Sequence, residues 1–285
     1  MNAAGPNAEQ ITYWNDTAGP KWVALEDMLD EQIRNLGEAA MDPVGIGRGE
    51  RVLDVGCGTG LTSLELARRV GASGRVVGVD ISAPMLDRAR ERARSAGADN
   101  VAFIAADAQT HRFEAATVDV VFSRFGVMFF ADPVAAFTNL RAALRPGGRL
   151  GFVCWQALPD NPWMFVPAMA AAQHVALALP ASPDAPGPFA LANPDRLRDI
   201  LERAGFTGVG IDDHRPTLTV GGRGGLDRAV DFMLQMGPAG VALREAPAEL
   251  RAAAADAVRK AVAPYSTPDG LRMPSAAWLV TAARN

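Results

Sequence analysis

Apolar and polar positions alternate along this chain with two periods. In the first part, Trp22, Leu25, Met28, Leu29, Ile33 and Leu36 recur at helical spacing, which predicts an amphipathic N-terminal helix. The first ten residues are small and polar and read as frayed. Ala39 to Val44 reads as a short second helix, ended by Gly45 and Gly47. Short Val-rich runs then alternate with helical patterns. The runs are Arg51–Val55, Val76–Asp80, Val101–Ala105 and Val118–Ser123, with a further strand after the turn at Pro146-Gly147-Gly148 and ending at Trp155. The helical stretches between them are Leu61–Val70, Pro84–Ala96 and Pro133–Leu144. Pro84 and Pro133 fall where a first-turn proline is tolerated. Strict strand–helix alternation predicts an α/β fold around a parallel sheet.

The pattern loosens after Trp155. An Ala-rich stretch, Ala168 to Leu179, reads as a helix, followed by a Pro-rich loop from Pro180 to Pro188. A helix then opens at Asn193 and ends at Gly205. Val209 to Val220 reads as the sixth strand, Asp227–Met236 and Pro247–Ala263 as helices, and Ala276–Ala282 as the last strand. This divides the chain into an N-terminal helical segment, 1–44, and a core, 45–285, with elaborations at about 156–192 and 221–274. No internal repeat is visible.

The junction after the first strand carries the chemistry. Asp54-Val55-Gly56-Cys57-Gly58-Thr59-Gly60 joins a buried strand to a helix, and the next strand ends on Asp80. Glycines let the backbone take unusual φ/ψ and let a ligand lie against it. An acid at the following strand's tip suits the two hydroxyls of a ribose. The dinucleotide fingerprint, G-x-G-x-x-G, is broken here, because Leu61 stands where its third glycine belongs.

With Ala106-Asp107-Ala108 after the third strand, Val118–Ser123 as the fourth, and Leu144–Leu150 turning into the fifth, this pattern resembles the class I S-adenosylmethionine-dependent methyltransferases. The subgroup it is most similar to is that of the ubiquinone/menaquinone C-methyltransferases and related small-molecule enzymes. The resemblance covers residues 45–155, with weaker matches at Leu197–Phe206 and Trp278–Thr281. It implies a Rossmann-like, seven-stranded, mostly parallel sheet with helices on both faces, an antiparallel last strand, and a helical lid. It also implies S-adenosylmethionine as cofactor, S-adenosylhomocysteine as product, and a small-molecule acceptor methylated at O, C or N.

Residue by residue, the resemblance assigns Gly56, Cys57, Gly58 and Gly60 to the methionine portion of that cofactor, with Asp54 ordering the loop. Asp80 would take the ribose hydroxyls, Ile81 and Met85 the adenine faces, and Asp107 and Ala108 the adenine edge. Ser123 and Arg124 would close the site, and Tyr13 and Trp22 would fold over it. Asp54 and Asp107 also suit turn or capping roles, and Trp22 an ordinary packing role. Arg124 suits either an ion pair with a carboxylate or an exposed surface. His111 and His174 are the candidates for a general base, each also explicable as a structural histidine. His214 lies in the sixth strand, away from the expected chemistry.

Composition narrows the partners. The chain has 28 basic and 32 acidic residues, a formal charge of −4, which offers no general attraction to a phosphate backbone. No basic arm and no His/Cys cluster suggests nucleic acid or a metal. Apolar residues make up 49% of the chain, yet no apolar run is long enough to span a bilayer. Two cysteines, Cys57 and Cys154, form no disulfide framework and point to a reducing compartment. Together with the absence of a leader-like start, this predicts a cytoplasmic enzyme. A nicotinamide-dependent reductase and a non-catalytic cofactor-binding regulator are the alternatives.

Overall fold

The computed structural model describes residues 5–177, 182–244 and 246–285. Three helices open the chain: α1 (Ala8–Asp16), α2 (Ala18–Ala24) and α3 (Glu26–Val44). The core follows as β1 (Arg51–Val55), α4 (Leu61–Val70), β2 (Arg75–Asp80), α5 (Ala83–Ser95), β3 (Val101–Ala105), β4 (Val118–Arg124), α6 (Pro133–Ala143) and β5 (Leu144–Trp155). Beyond it come α7 (Pro162–Ala171), α8 (Pro194–Arg203), β6 (Thr207–His214), β7 (Thr217–Val220), α9 (Leu226–Met233), α10 (Gly237–Leu243), α11 (Ala248–Val262), β8 (Ser266–Thr267), β9 (Gly270–Pro274) and β10 (Ala277–Ala283).

The main sheet has seven strands in the order β3-β2-β1-β4-β5-β10-β6. β10 runs antiparallel to both its neighbours, while β3 to β5 pair in parallel. The chain therefore reverses its direction of winding between β1 and β4. Ligands in such sheets bind outside the carboxyl ends of the strands at this switch point. Val52, Val55, Val76, Val79, Val120, Val121 and Phe122 are nearly or wholly inaccessible, as the near-continuous apolar runs require of strands covered on both faces.

Several sequence expectations change. The first residues are not all frayed: α1 begins at Ala8, and Asn7 is buried. The predicted N-terminal helix, Trp22 to Leu36, is divided between two helices, with Leu25 breaking α2 from α3. Ala39–Val44 is the end of α3 rather than a separate helix, because Pro43 sits in its last turn and Gly45, left-handed at φ 66°, supplies the stop. α7 begins at Pro162 rather than Ala168 and ends at Ala171, with Pro167 inside the helix. Leu179, Pro180 and Ala181 lie outside the described residues. Val209–Val220 divides at Arg215-Pro216: β6 joins the main sheet, and β7 joins a separate sheet ordered β7-β9-β8. Pro216 has no N–H to continue the ladder.

These late elements pack on one another. α11 packs on α7 and α9, α10 on α7, and β9 on α7 and α9. α3 contacts β4, β5 and β10 of the main sheet and also β7, so it joins these elements to the main sheet. Among the described residues, no helix is long and apolar enough to cross a membrane.

Candidate cofactor site at the switch point

The glycine loop is built by backbone hydrogen bonds and close approaches. Gly56 and Cys57 both donate to the Val79 carbonyl, at 2.8 and 3.2 Å, which draws the loop across the tip of β2. Gly56 has φ 66°, and a Cβ there would lie 2.6 Å from Gly126 Cα. Only glycine satisfies both the conformation and the space. Gly60, at φ 85°, starts α4 against Ala89 and Phe103. Gly58 donates to Asp80 Oδ2 at 2.8 Å, while Ser82 donates to Asp80 Oδ1 at 2.9 Å. The acid at the end of β2 thus holds both the glycine loop and the turn into α5. Burial pushes its carboxyl above the usual range.

Asp54 plays a different part from the one expected. Its Oδ2 accepts from Ser63 Oγ of α4 at 2.6 Å, and not from the loop. Its Oδ1 is buried with no hydrogen-bond partner. Burial pushes this carboxyl up to about 7, against the pull of the Ser63 hydrogen bond and of the Arg124 charge. Arg124 is not a surface residue. It lies against Gly37 of α3 and reaches Asp30 at 3.4 Å, and burial lowers its own pKa. Ser123 Oγ donates to the Val55 carbonyl at 2.7 Å and accepts from Gly126 N at 3.1 Å, tying the tip of β4 to the tip of β1. Cys57 is buried, and burial pushes its thiol up.

Asp107 lies one loop further along the same edge. Its carboxylate accepts from Asn7 Nδ2, at 3.0 Å to each oxygen, and from the Gln109 amide at 2.9 Å. Asn7 also donates to Gln109 Oε1 and accepts from Ala131 N. Ala108 is buried, and its carbonyl accepts from Asn139. Met85 is buried on α5 with its methyl against Gly58, while Ile81 is half-buried and accepts from Asn15 Nδ2.

The N-terminal helices fold onto this edge. Ser82 Oγ donates to the Trp14 carbonyl at 2.8 Å, and Ala83 N donates to Asn15 Oδ1 at 2.9 Å. Trp14 is the centre of the aromatic contacts, edge-on to Tyr13, Trp22 and Phe129. Tyr13 itself is 36% exposed, and Trp22 is half-buried. A charged network locks α3 beneath: Glu26 pairs with Arg88 and Arg92, and Arg92 bonds both Asp30 and Thr59 of the glycine loop. Asn7, Asp30 and Arg92 escaped sequence reasoning because each meets its partner across long sequence separations. His111 packs edge-on against Phe113, and His174 is half-buried in the turn after α7. Among the described residues, no group of three or more His, Cys, Asp or Glu could hold a metal ion.

Residues 52–148 match the family model described as a methyltransferase domain. The aklanonic acid methyltransferase of Streptomyces sp. (strain C5) is 39% identical over 36% of this chain and 47% of its own length. A ubiquinone/menaquinone biosynthesis C-methyltransferase of Idiomarina loihiensis is 36% identical over 46% of this chain and 53% of its own length. The chain thus spans about half the length of these curated relatives. Among solved structures, a phosphoethanolamine N-methyltransferase of Haemonchus contortus, in complex with phosphomonomethylethanolamine and S-adenosylhomocysteine, superposes with a TM-score of 0.55 at 20% identity, covering 88% of this chain and 52% of that one. Residues 52–148 are thus similar to a methyltransferase domain, and the likeness to the solved methyltransferase is one of fold.

Proposed function

We propose that this protein transfers a methyl group from S-adenosylmethionine to an oxygen, carbon or nitrogen of a small, largely apolar molecule. The observation that carries the reading is the contact of Gly58 N with Asp80 Oδ2 at 2.8 Å, which brings the glycine loop and the acid together at the switch point. The residues present fit the cofactor. A glycine cradle that a Cβ would fill lies beside an acid suited to a ribose, and the orphaned Asp54 Oδ1 suits the cationic amine. Gly56, Gly58 and Gly60 would line the methionine portion, Asp80 the ribose, and Ile81, Met85, Asp107 and Ala108 the adenine. Ser123 and Arg124 would close the floor, with Tyr13 and Trp22 above.

When bound, the sulfonium supplies an activated methyl and a good leaving group. The chain's own work is to orient the acceptor in line with that methyl and to exclude water. That work needs no catalytic triad. His111 and His174 remain the candidates for removing a proton where the acceptor requires it. The small-molecule reading draws support from the relatives' names and from the apolar residues Trp155, at the end of β5, and Trp163, Met164, Phe232 and Met233 of the proposed lid.

Calorimetry tests the cofactor. S-adenosylhomocysteine is expected to bind at micromolar Kd or tighter, about −8 kcal/mol, with no competition from NADH. Saturable NADH binding without adenosyl-ligand binding would restore the reductase alternative. An acceptor screen with labelled cofactor, read by mass, then tests transfer; no methylated product would favour the regulatory alternative.

A further inference from the structure

A row of aromatic rings leads from the glycine loop into the lid. Gly126, packed on Gly56, follows Phe125, whose backbone is held left-handed at φ 61°. That conformation is rare for a bulky side chain. Phe125 stacks on Trp155 with ring centroids 4.2 Å apart and planes at 15°. Trp155 in turn meets Trp163 at 5.3 Å. The row ends on a buried polar atom: Trp163 Nε1 has no hydrogen-bond partner. Beside the ring, α7 meets α9 and α10 around a cavity of about 10 Å³, lined by Met164, Phe232, Met233 and Met236 among other apolar groups. That is room for one water at most.

We propose that Trp163 determines acceptor specificity: its indole N–H donates to an oxygen of a flat, neutral, conjugated acceptor that enters beside the methionines. A buried donor without a partner is costly, and such an atom in a folded protein calls for a partner that binds. The walls offer rings for stacking and no charge to balance an ion. The proposal requires the three methionines, flexible and polarizable, to move aside and admit a ring. The inference rests on the methyl-transfer reading and narrows its acceptor from apolar to aromatic and oxygen-bearing.

The test is Trp163→Phe, which keeps an aromatic ring and removes the N–H. The probes are 1-naphthol and 1-methylnaphthalene, similar in shape and different in the oxygen, with binding measured by equilibrium dialysis. The ratio of the two affinities is expected to fall about ten-fold from parent to variant, the loss of one hydrogen bond, with S-adenosylhomocysteine binding unchanged by calorimetry. An equal loss for both probes would assign Trp163 to packing. An unchanged ratio would mean that the N–H is spent on the Trp155 ring. A parent protein that binds neither probe also overturns the inference. Failure of the parent to bind S-adenosylhomocysteine instead sinks the underlying cofactor reading, and the calorimetry tells the two apart.

Discussion

Asn7 donates its side-chain amide to both oxygens of Asp107, at 3.0 Å each, across one hundred residues of sequence. The pair is buried and joins the start of α1 to the loop after β3. Asn7→Ala leaves a buried carboxylate short of a donor, and hydrogen bonds to charged groups contribute about 1.5–3 kcal/mol. The variant is expected to lose stability by about that amount, with faster hydrogen exchange over Ala8–Asp16 and little change in β1 or β4. Uniform exchange across the sheet would mean that α1 does not open locally.

Asp80 is expected to matter twice. Asp80→Ala removes the acceptor for Gly58 N and Ser82 N as well as the proposed acceptor for two ribose hydroxyls. Affinity for S-adenosylhomocysteine should fall at least ten-fold, from contributions of about 1.5–3 kcal/mol per charged hydrogen bond. Asp80→Glu should also weaken binding, because the longer side chain displaces the carboxylate from both amides. A folded Asp80→Ala protein with parent affinity would refute the ribose assignment.

The sheet and the glycine loop were legible from local signals. Val-rich runs bounded by helical patterns fix β1 to β5, and Gly56, Gly58 and Gly60 stand at left-handed φ values that only glycine adopts freely. What stayed hidden is long-range. Nothing near Asn7 in the sequence points to Asp107, and nothing near Asp30 points to Arg124. The division of Val209–Val220 between two sheets is a different failure: Arg215-Pro216 was a visible break, but the β-branched Val209 and Ile211 before it and Thr217, Thr219 and Val220 after it concealed it. α10, rich in Gly, Pro and Ala, has too few apolar residues for a helical period to stand out.

Gly56→Ala is expected to disrupt the loop. The added methyl meets Gly126 Cα at 2.6 Å, with backbone on both sides and φ at 66°. Left-handed strain costs roughly 1–2 kcal/mol, and the clash adds to it. Melting should drop by several degrees, with a loss of S-adenosylhomocysteine binding larger than in Gly45→Ala, where φ is similar but nothing lies within 4 Å. Equal effects in the two variants would mean that conformation alone, not the contact with Gly126, sets the cost.

Asp54 gives a pH dependence of defined sign. Its folded carboxyl is raised to about 7 from 3.8, so the native state holds a proton that the unfolded state has released in that window. Stability from this group therefore falls as pH rises from about 4 to about 7. Asp54→Asn should flatten that slope in denaturant melts. A bound cation beside the orphaned oxygen would favour the carboxylate, so S-adenosylhomocysteine binding near pH 6.5 should release protons in the parent and not in the variant. Calorimetry in buffers of different ionisation enthalpy reads this directly. An identical stability slope in both proteins would mean that Asp54 is already ionised, held by Arg124.

Deleting residues 1–22 tests the N-terminal cover. The deletion removes Asn7 from Asp107, the Trp14 carbonyl from Ser82, Asn15 from Ile81 and Ala83, and the aromatic cluster from Phe129. It leaves α3, whose Leu29, Ile33 and Leu36 are buried and whose Val44 packs against Gly151 of β5. The truncated protein should therefore keep its sheet, as seen by circular dichroism and by slow exchange in β1 and β4. It should lose turnover with the acceptor that the mass screen identifies, because water reaches the reacting centre and the edge that would hold adenine is open. Turnover at the parent rate would make Tyr13, Trp14 and Trp22 packing residues only. Loss of the sheet would show that α1 and α2 are part of the fold's core rather than a cover upon it.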